Sequence, residues 1–194
     1  MNKKLLASDE KILKERLFGI TGYNKSSIRR DSTIGNFVDP LLIDHGNTSC
    51  AELFIRIAKP KQNDFILDVG ARENKFIDIL QDQKYKNSYG IDTDSKITKS
   101  RYGVQMNVMD MPENNQFNIV FFSGLLDYFE GGWFDNGYAT SLESLANKLD
   151  NLLVASGNIV FGSLESGRDE FLDIFNKKGY TITKTSALIL LQKP

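Results

Sequence analysis

The chain has little of what builds disulfide and metal sites. Its 194 residues hold one cysteine, Cys50, and one histidine, His45. A lone cysteine excludes an intramolecular disulfide, and a reducing, cytoplasmic setting is expected. One Cys and one His do not make a zinc centre, so no metal is expected. No apolar run approaches the roughly 20 residues that span a bilayer, and no membrane partner is expected. The opening stretch MNKKLLASDEKILKERL begins with lysines, but its apolar part, Leu5 to Ala7, is cut off by Asp9 and Glu10. It reads as non-secretory. A large charge excess is also missing: the net charge is −1, which argues against a dedicated nucleic-acid binder.

What is present is ordinary globular material, 41 % hydrophobic and 25 % charged, enough for one domain that folds without staples. Charge is uneven. Residues 1–30 carry eight Lys/Arg against three Asp/Glu, a balance of +5, which leaves −6 on the remainder. That segment reads either as a solvated helix and arm or as a basic lid, with Tyr23, Arg29 and Arg30, over an anionic ligand. RNA or protein docking through residues 1–30 is a further possibility.

Residues 8–19 have helical spacing behind Ser8, and 21–47 read as a lid-like loop. Together, residues 1–47 are expected to form a small cap before a main domain, 48–194. A helix is expected from about Thr48 to Ala58, stopped by Pro60. Then strands alternate with helices. FILDVG (65–70), NSYGIDTD (87–94), GVQMNV (103–108), FNIVFF (117–122) and GNIVFG (157–162) read as strands. KFIDILQ (75–81), a short stretch 95–101, residues 138–149 and RDEFLDIFNKKG (168–179) read as helices. YTITKT (180–185) and ALILLQ (187–192) follow with almost nothing between them and should pair antiparallel. The expected architecture is α/β: one doubly wound, mostly parallel seven-stranded sheet with helices on both faces. Such sheets bind ligands at the carboxyl ends of the strands. The chemistry should therefore sit on the loops after Asp68, Asp92, Asn107 and Phe122.

The first of these loops, DVGARENKF (68–76), is unusual. Gly70 permits a sharp turn, but Arg72 and Asn74 stand where a glycine-rich loop would repeat its glycine. Asn tolerates left-handed backbone better than most residues. The Arg72 guanidinium either takes ligand space or grips a carboxylate. Asp92 ends the second strand 22 residues after Gly70, a spacing that suits ribose hydroxyls. Its alternative is to cap the helix near Ser95, a task Asp94 could also perform.

The ordered set LDVG, GIDTD, MNVMDMPENNQFNIVFFSGLLDYF and LLVASGNIVF resembles class I S-adenosylmethionine-dependent methyltransferases over residues 50–194. Departures are Arg72 and Asn74 in the loop and Asn118 where the family has an acid. The resemblance implies S-adenosyl-L-methionine as cofactor and methyl transfer to an oxygen or nitrogen of a small-molecule acceptor. It implies that Asp68 and Gly70 flank the methionine end and that Asp92 holds the ribose. Thr93 would lie beside the adenine, Asn107 and Val108 at its edge, and Ser123 with Gly124 under the methyl group. The Pro-Pro-Tyr-type motif of nucleobase and glutamine N-methylating enzymes is replaced by FSGL. Cys50 precedes the first strand, which excludes the cysteine nucleophile of 5-methylcytosine formation; it is expected to be a buried hydrophobe.

Candidate bases are Asp127 and Tyr128, just past the fourth strand, and His45 in the preceding loop. Their structural alternatives are helix capping, core packing and a surface loop position. Trp133, Phe134 and Tyr138 are candidates for an aromatic substrate wall or for plain packing. A catalytically silent scaffold of the same fold is the competing reading.

Overall fold

The structure is a computed structural model, and it describes residues 50–126, 129, 141–162, 167–185 and 188–194. His45, Asp127, Tyr128, Trp133, Phe134, Tyr138, Tyr23, Arg29, Arg30 and the helix expected at 8–19 lie outside those residues, as does the side chain of Cys50.

Four helices are described: α1 (Cys50–Ala58), α2 (Lys75–Asp82), α3 (Leu142–Leu152) and α4 (Arg168–Lys177). Seven strands form one sheet: β1 (Ile66–Val69), β2 (Ser88–Asp92), β3 (Gly103–Gln105), β4 (Phe117–Phe122), β5 (Leu153–Gly162), β6 (Thr181–Lys184) and β7 (Leu188–Gln192). The order is β3-β2-β1-β4-β5-β7-β6. β7 lies antiparallel to both β5 and β6, and the other pairings are parallel. The chain thus moves outward from β1 to β3 and returns to lay β4 on the other side of β1. The point where winding reverses lies between β1 and β4, where such sheets open a crevice.

β4 shows why its sequence is mostly apolar without alternation, Asn118 excepted, whose Oδ1 accepts the Phe65 N–H at 2.9 Å. Successive side chains of a strand point to opposite faces, and here both faces are covered. Ile119 and Phe121 join Phe54, Phe76, Ile77 and Leu80 of α1 and α2. Phe117, Val120 and Phe122 join Leu145 and Leu149 of α3 with Phe171 and Phe175 of α4. Phe121 stacks on Phe76 at 4.4 Å and meets Phe54 edge-on at 5.5 Å. Phe122 stacks on Phe161 at 5.1 Å.

Several element limits differ from expectation. β3 ends at Gln105 instead of Val108, because Asn107 accepts the Met109 N–H and starts a 3-10 turn, Val108–Asp110. The segment expected as a helix over 95–101 is a 3-10 turn, Ser95–Lys99, capped by Asp94. α3 starts later than expected because Ser141 caps it, its hydroxyl accepting the Ser144 N–H at 3.1 Å. β5 begins at Leu153 rather than Gly157. Leu153 already pairs with Phe117, and the register then slips before Asn158 meets Ile119. Ser156, with φ of 60°, lies in the slipped portion.

Candidate functional site

The register brings the predicted loops to one level. Val69 stands opposite Ile91 on one side and Phe122 on the other. Gly70, Asp92 and Ser123 therefore leave the sheet side by side. Asp92 in turn faces Gln105 of β3, and Asn107 follows two residues on.

The loop after β1 has the backbone of a glycine-rich turn without its glycines. Gly70, Arg72 and Asn74 have φ of 78°, 50° and 62°. Left-handed backbone is free for glycine and costs other residues roughly 1 kcal/mol or more. Hydrogen bonds offset that cost. The Gly70 and Ala71 N–H groups both donate to the Ile91 carbonyl, at 2.9 and 3.0 Å. The Arg72 N–H donates to Asp92 Oδ2 at 2.7 Å. Arg72 is exposed.

Asn74 is fully buried, and its Nδ2 donates to Ser100 Oγ at 2.8 Å. The Ser100 hydroxyl donates in turn to Asp78 Oδ1 at 2.8 Å. Burial raises the Asp78 carboxyl to about 6; the Ser100 hydrogen bond opposes this and Asp82 adds to it. Gly90 makes room for this arrangement, since a Cβ there would lie 1.7 Å from Asn74 Oδ1. Ser100, Asp78 and Gly90 were not singled out by their sequence. Only the glycine inside strand NSYGID carried a signal, because glycine within a strand marks close approach of another group.

Two carboxyls stand at this end of the sheet, Asp68 within β1 and Asp92 at the end of β2. Asp68 is 4 % exposed. Burial pushes its carboxyl well above the usual carboxylate range, and the nearby Asp92 charge adds to the effect. Asp92 is half-buried. Its Oδ2 accepts the Arg72 N–H and its Oδ1 the Asp94 N–H, at 2.7 Å each. The 3-10 turn at Ser95 is capped by Asp94, whose Oδ1 accepts from Lys96 N at 2.9 Å. Asp92 is therefore not that turn's cap. A carboxylate offers about four lone-pair positions, so two remain on Asp92 for a ligand.

Thr93 is exposed, and its carbonyl accepts from Gln105 Nε2 at 2.9 Å. Asn107 Oδ1 accepts from Met109 N at 3.0 Å, which leaves its Nδ2 hydrogens for other partners. Val108 is buried and Ser123 is half-buried. Gly124 follows with φ of 73°. Leu125 Cδ1 lies 3.8 Å from where a Cβ on Gly70 would stand, so the fourth loop folds toward the first. Among the described residues, no three His, Cys, Asp or Glu side chains cluster as metal ligands. No helix among them is long and apolar enough to cross a membrane.

No protein-family model matches the chain, and no curated protein matches it. Solved structures do. A TehB-like SAM-dependent methyltransferase from Corynebacterium glutamicum gives a TM-score of 0.57 at 17 % identity, over 84 % of this chain and 99 % of that one. The N-methyltransferase NodS from Bradyrhizobium japonicum WM9, in complex with S-adenosyl-L-homocysteine, gives 0.57 at 15 %, over 84 % and 100 %. Magnesium protoporphyrin IX methyltransferase (ChlM) from Synechocystis PCC 6803, with bound SAM, gives 0.51 at 11 %, over 90 % and 99 %. At these identities the likeness is one of fold, and the chain has the fold of the class I S-adenosylmethionine-dependent methyltransferases.

Proposed function

We propose that the protein is an S-adenosylmethionine-dependent methyltransferase acting on an oxygen or nitrogen atom of a small molecule. The observation that carries this reading is the loop 70–74. It keeps left-handed backbone at three alternate positions although two of them are not glycine. Strain of this kind gathers where a ligand is held. Asp68 supports the reading too. It is buried close to Asp92 on the strand that leads into the loop, and a methionine ammonium beside it would favour its ionised form against the burial that raises its proton affinity.

In this reading Asp68, Gly70 and Arg72 hold the methionine end, with Arg72 toward its carboxylate. Asp92 uses its remaining lone pairs for the ribose hydroxyls. Thr93 lies along the adenine, Asn107 and Val108 take its edge, and Ser123 lines the floor. The bound cofactor supplies a methyl group on a cationic sulfur, transferred by in-line displacement. The protein's task is mostly alignment, plus a base where the acceptor must lose a proton. Asp127, Tyr128 and His45 are the candidates for that base. The reading also keeps residues 1–47 as a segment apart from a main domain, 48–194, in a cytoplasmic setting. The N-methyltransferase among the similar structures supports nitrogen as one of the acceptor atoms.

Calorimetry with S-adenosylhomocysteine tests the reading. Binding is expected, and Asp92→Ala should reduce affinity at least about tenfold, the scale of one lost charge-assisted contact. Folded wild-type protein that shows no binding at millimolar ligand overturns it and leaves the scaffold alternative.

A further inference from the structure

The buried polar chain behind the loop has no place in the roles above. Its geometry links two loops that are far apart in sequence. Asn74 Nδ2 donates to Ser100 Oγ at 2.8 Å, and that hydroxyl donates to Asp78 Oδ1 at 2.8 Å. The Tyr102 N–H also donates to Ser100 Oγ, at 3.2 Å. Ser100 therefore makes one donation and two acceptances, the full capacity of a hydroxyl. Asp78 closes a ring, because its own N–H donates to the Asn74 carbonyl at 3.0 Å. Ser100 is 2 % exposed, Asn74 0 % and Asp78 7 %. A residue held at φ of 62° without being glycine needs a partner that penalises the alternatives. If Asn74 left this backbone, its buried hydrogen bond to Ser100 would be lost.

We propose that Ser100 and Asp78 are positioning residues that hold the 70–74 loop in its ligand-ready shape by acting through Asn74. The pair replaces, by hydrogen bonding, the conformational freedom that a glycine at 74 would supply. The proposal rests on the cofactor reading for its consequence, though not for its geometry.

A double-mutant cycle with S-adenosylhomocysteine as probe tests it. Ser100→Ala should weaken binding about tenfold, whereas in an Asn74→Gly background the same change should matter less than about twofold. Glycine takes the left-handed backbone unaided, so the strut has nothing left to hold. An equal loss in both backgrounds, or no loss in either, overturns the proposal. If Ser100→Ala does not fold, the pair Asp78→Asn and Asp78→Leu replaces it. Asn keeps an acceptor oxygen and should retain affinity, and Leu should lose it; equal affinities overturn the proposal. If wild-type protein binds no ligand, the cofactor reading has failed, and amide hydrogen exchange at Arg72 and Asn74 decides the strut alone. Exchange faster in Ser100→Ala than in wild type, but equal in Asn74→Gly with and without Ser100→Ala, supports it. Any other pattern overturns it.

Discussion

Replacing Gly90 by alanine puts a methyl group into space that is already filled. The new Cβ would lie 1.7 Å from Asn74 Oδ1, 2.8 Å from Asn74 Cγ and 2.8 Å from Ala71 Cβ. None of these can yield easily. Asn74 is buried and tied to Ser100, and Ala71 is tied by its N–H to Ile91. Overpacking of this kind costs about 1–3 kcal/mol. Expelling the Asn74 amide leaves the Ser100 end of a buried hydrogen bond unmade, a further loss of about 1–3 kcal/mol. Alanine stiffens the unfolded chain and returns about 0.4–1 kcal/mol. The net expectation is a loss of about 3 kcal/mol, a large share of the roughly 5–15 kcal/mol that a domain has. For a chain this long, that is a fall of roughly 6–12 °C in Tm. Urea unfolding followed by circular dichroism measures it directly. Adding Asn74→Gly should recover part of the loss, the Ala71 contact remaining. A loss below about 1 kcal/mol for Gly90→Ala would refute the packing of Asn74 against β2.

Two further outcomes follow from the interior. Asp78 has its folded value raised to about 6, so its protonated form is favoured by folding. Its contribution is full below the unfolded value near 3.9 and is lost as pH rises through about 6. Asp78→Asn should therefore match wild type near pH 3.5 and gain stability progressively to pH 7, by about 1–2 kcal/mol once solvent screening is allowed for. Urea midpoints across that range check it, and a constant difference would contradict it. Phe122→Ala removes a fully buried ring that touches Phe161 and Phe171. It should cost about 3–5 kcal/mol in the same assay, and much less would mean that the core collapses around the gap.

How legible was all this in the chain? The strands that carry the site were readable because burial on both faces leaves mostly apolar runs, as in FNIVFF, where Asn118 alone is polar and accepts the Phe65 N–H. The closing hairpin was readable because the alternating YTITKT and the apolar ALILLQ leave no length for a crossover helix between them. Element ends were less so. Asn107 ended β3 by taking the Met109 N–H, and Ser141 delayed α3; each is a side-chain bond that competes with the backbone pattern.

The sequence by itself therefore determined the α/β class, the antiparallel end and which loops meet at the crevice, because period and polarity are local properties. Only the tertiary structure decided what Arg72 and Asn74 do. The local preference of Arg72 is against left-handed backbone, and Asn74 only tolerates it. Their reluctance is overcome by Asp92, 20 residues beyond Arg72, and by Ser100, 26 residues beyond Asn74. The choice between Asp92 and Asp94 as the helix cap was settled in the same way. Asp92 was drawn to the Arg72 N–H across the sheet edge, and Asp94 took the turn. Such pairings depend on parallel β1 and β2 being in register, and register is a property of the sheet that neither segment contains alone.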